Sequence, residues 1–167
     1  MSEETYPGVV IGTVREIDGT LGRIKVDFMW MNPPQRSDWA SIAAPMAGGE
    51  RGAYTMPEEG DEALVAFLFG KLAHPYIVGF LWNGQHKPPS TDPQLRIIRS
   101  KNGHKISLYD PEPAAGDKGY LRMEDAHGNQ VELRNGMVTI LSKGLLRLQA
   151  PSVQINSRVV APVGPPI

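Results

Sequence analysis

Gly128-Asn129-Gln130-Val131-Glu132-Leu133-Arg134-Asn135-Gly136-Met137-Val138-Thr139-Ile140-Leu141-Ser142-Lys143-Gly144 repeats an eight-residue unit. Glycines at 128, 136 and 144 keep that spacing, and each stands just before an apolar pair split by one residue: Val131/Leu133, Val138/Ile140 and Leu146/Leu148. Val153/Ile155 extends the series, and the pairs step by 7, 8 and 7 residues. A repeat this short holds one strand and one corner. One unit has too little apolar surface to bury itself, so it must stack on neighbours in the same chain or in other chains. The regular spacing favours a stacked β-helix. An antiparallel meander stays open, because Asn102-Gly103 and Asn135-Gly136 are also two-residue hairpin signals. The earlier pairs, Ile106/Leu108 and Leu121/Met123, step irregularly, and 97–125 reads as hairpin-like.

The rest of the chain agrees with short strands. Glycine (18) and proline (15) make up a fifth of the 167 residues. That is below the roughly 25–30% of a low-complexity disordered chain. The longest runs free of both are ten residues, such as Arg23–Asn32 and Gln35–Ala44. Interior proline costs a helix about 3 kcal/mol and glycine about 1, so helix bundles, α-solenoids, coiled coils and Rossmann domains are poorly supported. Five strand candidates precede the repeats: Gly8–Val14, Arg23–Phe28, Trp39–Ala43, Glu62–Leu68 and Pro75–Trp82. Arg23–Phe28 alternates polar and apolar, the period of a half-buried strand. Five strands without a long helix suit a small closed β-barrel, which also removes exposed edges. Pro88, Pro89 and Pro93 then mark a semi-rigid connector. The predicted organisation is an arm at 1–7, a barrel at 8–83, a linker at 84–95 and a repeat region at 96–167. Charge divides in the same way. Residues 1–83 carry 6 basic and 11 acidic side chains, against 11 and 7 in 84–167, for a net charge of −1.

Several chemistries have little to stand on. The absence of cysteine removes disulfides, thiolate catalysis and most zinc sites. His74, His86, His104 and His127 are scattered, without H-x-H or H-E-x-x-H spacing, so neither a metal nor another cofactor is expected. Glu58-Glu59-Gly60-Asp61-Glu62 could pair carboxylates for glycoside cleavage, but reads more simply as a solvated turn. Gly48-Gly49-Glu50-Arg51-Gly52 lacks the G-K-[S/T] ending of a phosphate loop. A barrel of this kind could stack single-stranded nucleic acid on aromatics in a basic groove. Here Phe28, Trp30, Trp39, Phe67, Tyr76 and Trp82 are available, yet the module is acidic and core packing is the commoner fate of strand aromatics. No apolar run approaches the roughly 20 residues that span a bilayer, and Met1-Ser2-Glu3-Glu4 is unlike a signal peptide.

The run Gly22-Arg23-Ile24-Lys25-Val26-Asp27-Phe28-Met29-Trp30, with Trp39–Gly48, Met56–Phe67 and Pro75–Asn83, resembles the phage baseplate assembly protein V family and its VgrG relatives. The P-E-x-G-D-E-x-x-V-x-F block at Pro57–Phe67 is its most specific part. The resemblance implies an all-β chain: an N-terminal five-stranded oligonucleotide/oligosaccharide-binding (OB) barrel, then a C-terminal intertwined triple-stranded β-helix in a homotrimer. It implies a non-enzymatic central spike of a contractile tail baseplate, docking through the OB domain on a trimeric tail hub protein. Sheath contraction would drive the spike through the target outer envelope, met only transiently. Val131, Leu133, Val138, Ile140, Leu146, Leu148, Val153 and Ile155 would fill the trimer core. Some members insert a cell-wall lysozyme after the barrel, for which the linker has no room. Others end in an iron-binding H-x-H, absent here. Val163, Pro165, Pro166 and Ile167 would instead form a platform for a PAAR-type tip protein. The chain would be made in the bacterial host cytoplasm and end in a virion baseplate or an extracellular injection particle; its brevity and lack of a fused hub favour phage. The rival is an OB-fold binding module for glycan or single-stranded nucleic acid.

Overall fold

The computed structural model describes residues 5–112 and 116–159, in two compact units that divide between Pro88 and Pro89. In the first unit, β1 (Val9–Asp18) turns into β2 (Arg23–Phe28). The Asp18 carboxylate accepts the backbone N–H groups of Thr20 and Leu21, both at 3.1 Å, and so fixes that turn. There follow β3 (Gln35–Arg36), β4 (Ala40–Ile42), the small hairpin of β5 (Ala47–Gly48) and β6 (Arg51–Gly52), β7 (Glu62–Phe67) and β8 (Pro75–Leu81). The strands pair in the order β1-β7-β8-β4-β2, and β2 returns to β1, so the sheet closes on itself. The β4–β8 pairing is parallel and the others of this ring are antiparallel. Five strands closed in this order are the topology of an OB barrel.

Strict alternation in β2 and β7 builds the core. Ile24, Val26 and Phe28 from one strand and Ala63, Val65 and Phe67 from the other point inward, joined by Val14, Met31, Ala40 and Ile77. Register shifts leave Arg15 of β1 and Val78 of β8 without a register partner, bulges that bend strands around a small circumference. Gly12 lies against the Val26 side chain: a β-carbon there would lie 2.7 Å from Val26 Cγ2 and 2.9 Å from Val26 Cβ. Gly12→Ala should therefore overpack the barrel and cost about 1–3 kcal/mol, read as a lower midpoint in chemical denaturation. A midpoint equal to that of the parent would show that the two strands can move apart.

Strand aromatics divide more evenly than expected. Phe28 and Phe67 are in the core, but Trp30, Tyr76 and Trp82 are exposed. Trp30 and Trp82 fall just beyond the ends of β2 and β8, and for Tyr76 the reason is parity. In β8 the inward positions are Pro75 and Ile77, which leaves Tyr76 and Val78 on the outer face. Trp39 is half-buried, with Arg23 and Lys25 over its ring at 4.9 and 4.7 Å.

Charges on β1, β2 and β3 pair across the strands as a ladder. Asp27 takes Arg15 at 3.1 Å and Arg36 at 2.7 Å; Glu16 takes Arg36 at 2.9 Å and Lys25 at 3.1 Å; Asp18 takes Arg23 at 2.9 Å. Hydrogen bonds hold all three carboxyls below their ordinary range, chiefly from Arg36 at Asp27, Lys25 at Glu16 and Arg23 at Asp18. A carboxyl lowered in the folded state stabilises the fold above its unfolded pKa, about 4, and loses that contribution as pH falls through the folded value. Stability to urea should thus fall below about pH 4, and Asp27→Asn should flatten the decline. An equally steep acid profile in that variant would remove the ladder as its cause.

In the second unit, β9 (Leu95–Arg99), β10 (Lys105–Tyr109), β11 (Tyr120–Glu124), β12 (Gln130–Arg134) and β13 (Met137–Leu141) form one antiparallel sheet in chain order. Within one chain the octads thus fold as the meander and not as a stacked β-helix. Turn chemistry decides this. Asn135 (φ 49°) and Gly136 (φ 79°) both take the left-handed conformation of a two-residue type I′ turn, so β13 folds back on β12 with Arg134 opposite Met137. The repeat also breaks after Leu141. Leu146 and Leu148 lie in no strand, Val153 is half-buried before β14 (Gln154–Ile155), and β14 pairs with β15 (Arg158–Val159).

Candidate assembly interface

Cross-strand register arranges the apolar pairs of the second unit into two rows. Ile98, Ile106, Met123, Val131 and Ile140 stand side by side across the sheet, and Leu108, Leu121, Leu133 and Val138 form the row beside them, ending at Arg96. Both rows share one face because side chains two residues apart point the same way. Every apolar member is exposed, from 37% at Val131 to 72% at Ile98.

The opposite face is mixed, with Leu95, Ile97, Met137 and Leu141 among charged, polar and tyrosine side chains, yet it is the better covered. Arg122 pairs with Glu132, Lys105 with Glu124 at 3.1 Å, Tyr109 and Tyr120 stack at 5.3 Å, and the Arg122 guanidinium lies 4.3 Å from the Tyr120 ring centroid. Ser107 is buried among them. Long side chains thus shield the mixed face while the apolar face stands bare. A one-layer sheet in water normally shows the reverse, and a contiguous apolar patch marks a protein contact surface.

The expected core residues are only partly brought together. Val131 opposes Ile140 and Leu133 opposes Val138 on this face. Leu146, Leu148 and Ile155 are exposed outside this sheet. Val163, Pro165, Pro166 and Ile167 lie outside the described residues. Reasoning from the octads missed Ile98, Ile106, Leu108, Leu121 and Met123 as members of the same face. Four of them already showed the apolar-x-apolar pairing; Ile98 shows its place only through register with Ile106.

Other candidate groups are engaged locally. Asp61 accepts the Glu58 N–H at 2.8 Å and lies 3.3 Å from His86 Nδ1, so the acidic run is a turn. His104 Nδ1 accepts the Ala126 N–H at 3.3 Å, and His127 is 3.8 Å from Asp125. Among the described residues no cluster of three or more His, Asp or Glu has the geometry to hold a metal, and no helix is long and apolar enough to cross a membrane. Gly48–Gly52 belongs to the β5–β6 hairpin.

Gly119 holds the second unit's register. Its backbone is left-handed (φ 81°), and a β-carbon would lie 1.7 Å from the Tyr109 carbonyl oxygen. Gly119→Ala should therefore disrupt the β10–β11 hairpin, read as lost amide-exchange protection over 105–124. Unchanged protection there would contradict the packing.

Residues 6–82 match the family described as the type VI secretion system/phage-baseplate injector OB domain. Relatives include the type VI secretion system spike protein VgrG5 of Pseudomonas aeruginosa, 30% identical over 65% of this chain and 14% of its own length. VgrG4b of the same organism is 32% identical over 65% of this chain and 13% of its own length. The actin cross-linking toxin VgrG1 of Vibrio cholerae is 32% identical over 44% of this chain and 7% of its own length. The chain thus spans about one-seventh or less of these relatives' lengths. The closed barrel, its strand order and these matches agree: residues 6–82 are a type VI secretion system/phage-baseplate injector OB domain, in a chain similar to VgrG spike proteins.

Proposed function

We propose that this chain is the central spike of a contractile injection machine, assembled as a homotrimer and acting mechanically, without catalysis. The observation that carries the reading is the bare apolar face of the β9–β13 sheet. Three such faces turned toward a common axis would bury their rows against one another, while the ion-paired faces would look outward. Val131, Leu133, Val138 and Ile140 would then lie in the trimer core, and Leu146, Leu148, Val153 and Ile155 would wind with neighbouring chains below them as the intertwined triple-stranded β-helix. A column closed by interchain contacts on every side is stiff, which suits a part driven through an outer envelope. The OB barrel would dock on a trimeric tail hub, and the C-terminal end would carry a PAAR-type tip protein.

The barrel's charges argue against the nucleic-acid alternative. Arg15, Arg23, Lys25 and Arg36 are each tied to carboxylates, so this wall offers no cationic track for a phosphate backbone. Imaging of the purified full chain tests the proposal. A threefold particle with a narrow shaft is expected; a compact single-chain particle would overturn it.

A further inference from the structure

The turn between β7 and β8 carries an exposed aromatic with a strained backbone. Phe69 is 85% exposed and sits at φ 52°, ψ 28°. The left-handed region is costly for a bulky residue, and such strain persists only where the surroundings hold it and gathers at functional positions. The surroundings here are rigid. Leu68 N–H donates to His74 O at 3.0 Å, Lys71 N–H to Leu68 O at 3.0 Å, His74 N–H to Lys71 O at 2.9 Å and Tyr6 N–H to Gly70 O at 2.9 Å. The turn is therefore a fixed mount that holds a phenyl ring in solvent.

The same barrel carries an apolar cleft of about 850 Å³, lined by Leu21, Ile42, Met46, Tyr54, Met56 and Phe80 among others. It lies at the other end of the strands. The β7–β8 ladder has Phe67 opposite Pro75 beside the turn, and Glu62 opposite Leu81 at the far end, next to Phe80 of the cleft. Knob and cleft at opposite ends cannot meet within one barrel. They suit a head-to-tail contact between copies, the heterologous kind that closes into a ring when the rotation is threefold.

We infer that Phe69 of one copy docks in the Leu21/Met46/Tyr54 cleft of the next, locking three barrels into a ring. This rests on the trimer reading above. Contact area selects a second copy as occupant. One aromatic buries roughly 150–250 Å², far below the roughly 1,200 Å² of a free-standing complex. Such a contact holds only a partner already tethered at high effective concentration, as a neighbouring barrel in the same trimer is.

The test uses the full chain with the photo-reactive p-benzoylphenylalanine in place of Phe69, assembled from isotopically labelled and unlabelled copies. Irradiation should give denaturation-resistant dimers and trimers, with cross-links mapping to residues 41–56 or Phe80 of another copy. A trimer that gives no such interchain cross-link would overturn this inference alone. A monomeric preparation would overturn the trimer reading and this inference with it. Phe69→Asn provides a second readout, since asparagine tolerates the left-handed backbone. The trimer should persist while amide exchange over 43–56 speeds up about tenfold, as expected for losing one buried aromatic side chain. Unchanged exchange in that segment would contradict the docking.

Discussion

Val131→Asp is expected to convert the trimer into monomers without unfolding the chain. Val131 lies mid-row between Met123 and Ile140, on the face proposed to be shared. In one chain its side chain reaches solvent, so an isolated aspartate there is hydrated and the sheet survives. In the trimer three carboxylates would be desolvated around one axis. An effective penalty of about 3 kcal/mol per chain comes to about 9 kcal/mol per trimer, more than about a million-fold in the association constant. Mass by light scattering reads the effect, and circular dichroism checks that the strands remain. Thr139→Lys is the control. Thr139 sits on the mixed face opposite Glu132, where a lysine gains an ion-pair partner, and the trimer should persist. Loss of the trimer in the control, or its survival in Val131→Asp, would place the interface elsewhere.

Phe28→Ala should have the largest effect on the barrel itself. Phe28 has no exposed surface and packs with its ring 5.7 Å from Phe67 and 5.8 Å from Trp30, in an aromatic cluster completed by Tyr6. Truncation leaves a cavity in a core whose strands are tied in a closed ring and cannot easily collapse. A loss of about 3–5 kcal/mol is expected, a large fraction of the stability of a domain this size. The readout is an early unfolding transition confined to residues below 88. Assembly through the second unit should remain, since none of the apolar rows lies in the barrel. A variant that melts with the parent would show that the cluster is not the barrel's structural centre.

The barrel was legible because its strands carry their own boundaries. Arg23–Phe28 alternates without a break, and the structure places β2 over those same residues. Glycine and aspartate turns fix its ends locally. Parity was not legible: Tyr76 looks like a core aromatic until the pairing shows which face it takes, and Trp30 falls in the turn just past the end of β2. The repeat region was half legible. Its apolar pairs identify strands at 130–134 and 137–141, and their alternation marks one apolar face. Spacing alone could not separate a corner from a reversal, and Asn135-Gly136 chose reversal through two left-handed residues. Leu146 and Leu148 have the same pattern but pair with no strand among the described residues. A strand pattern becomes a strand only where another edge meets it, and for these residues that edge would come from other chains. Phe69 left no sequence signal beyond an aromatic before a glycine. Its exposure follows from the turn that carries it.

Two further copies of the same chain are proposed to cover the bare face of the β9–β13 sheet. Light scattering on the purified full chain, over a range of concentrations, tests this most directly. The predicted result is a stable species at about three times 18.3 kDa that persists on dilution. A monomer of 18.3 kDa at every concentration would contradict the account, since the apolar rows would then stand in water uncovered.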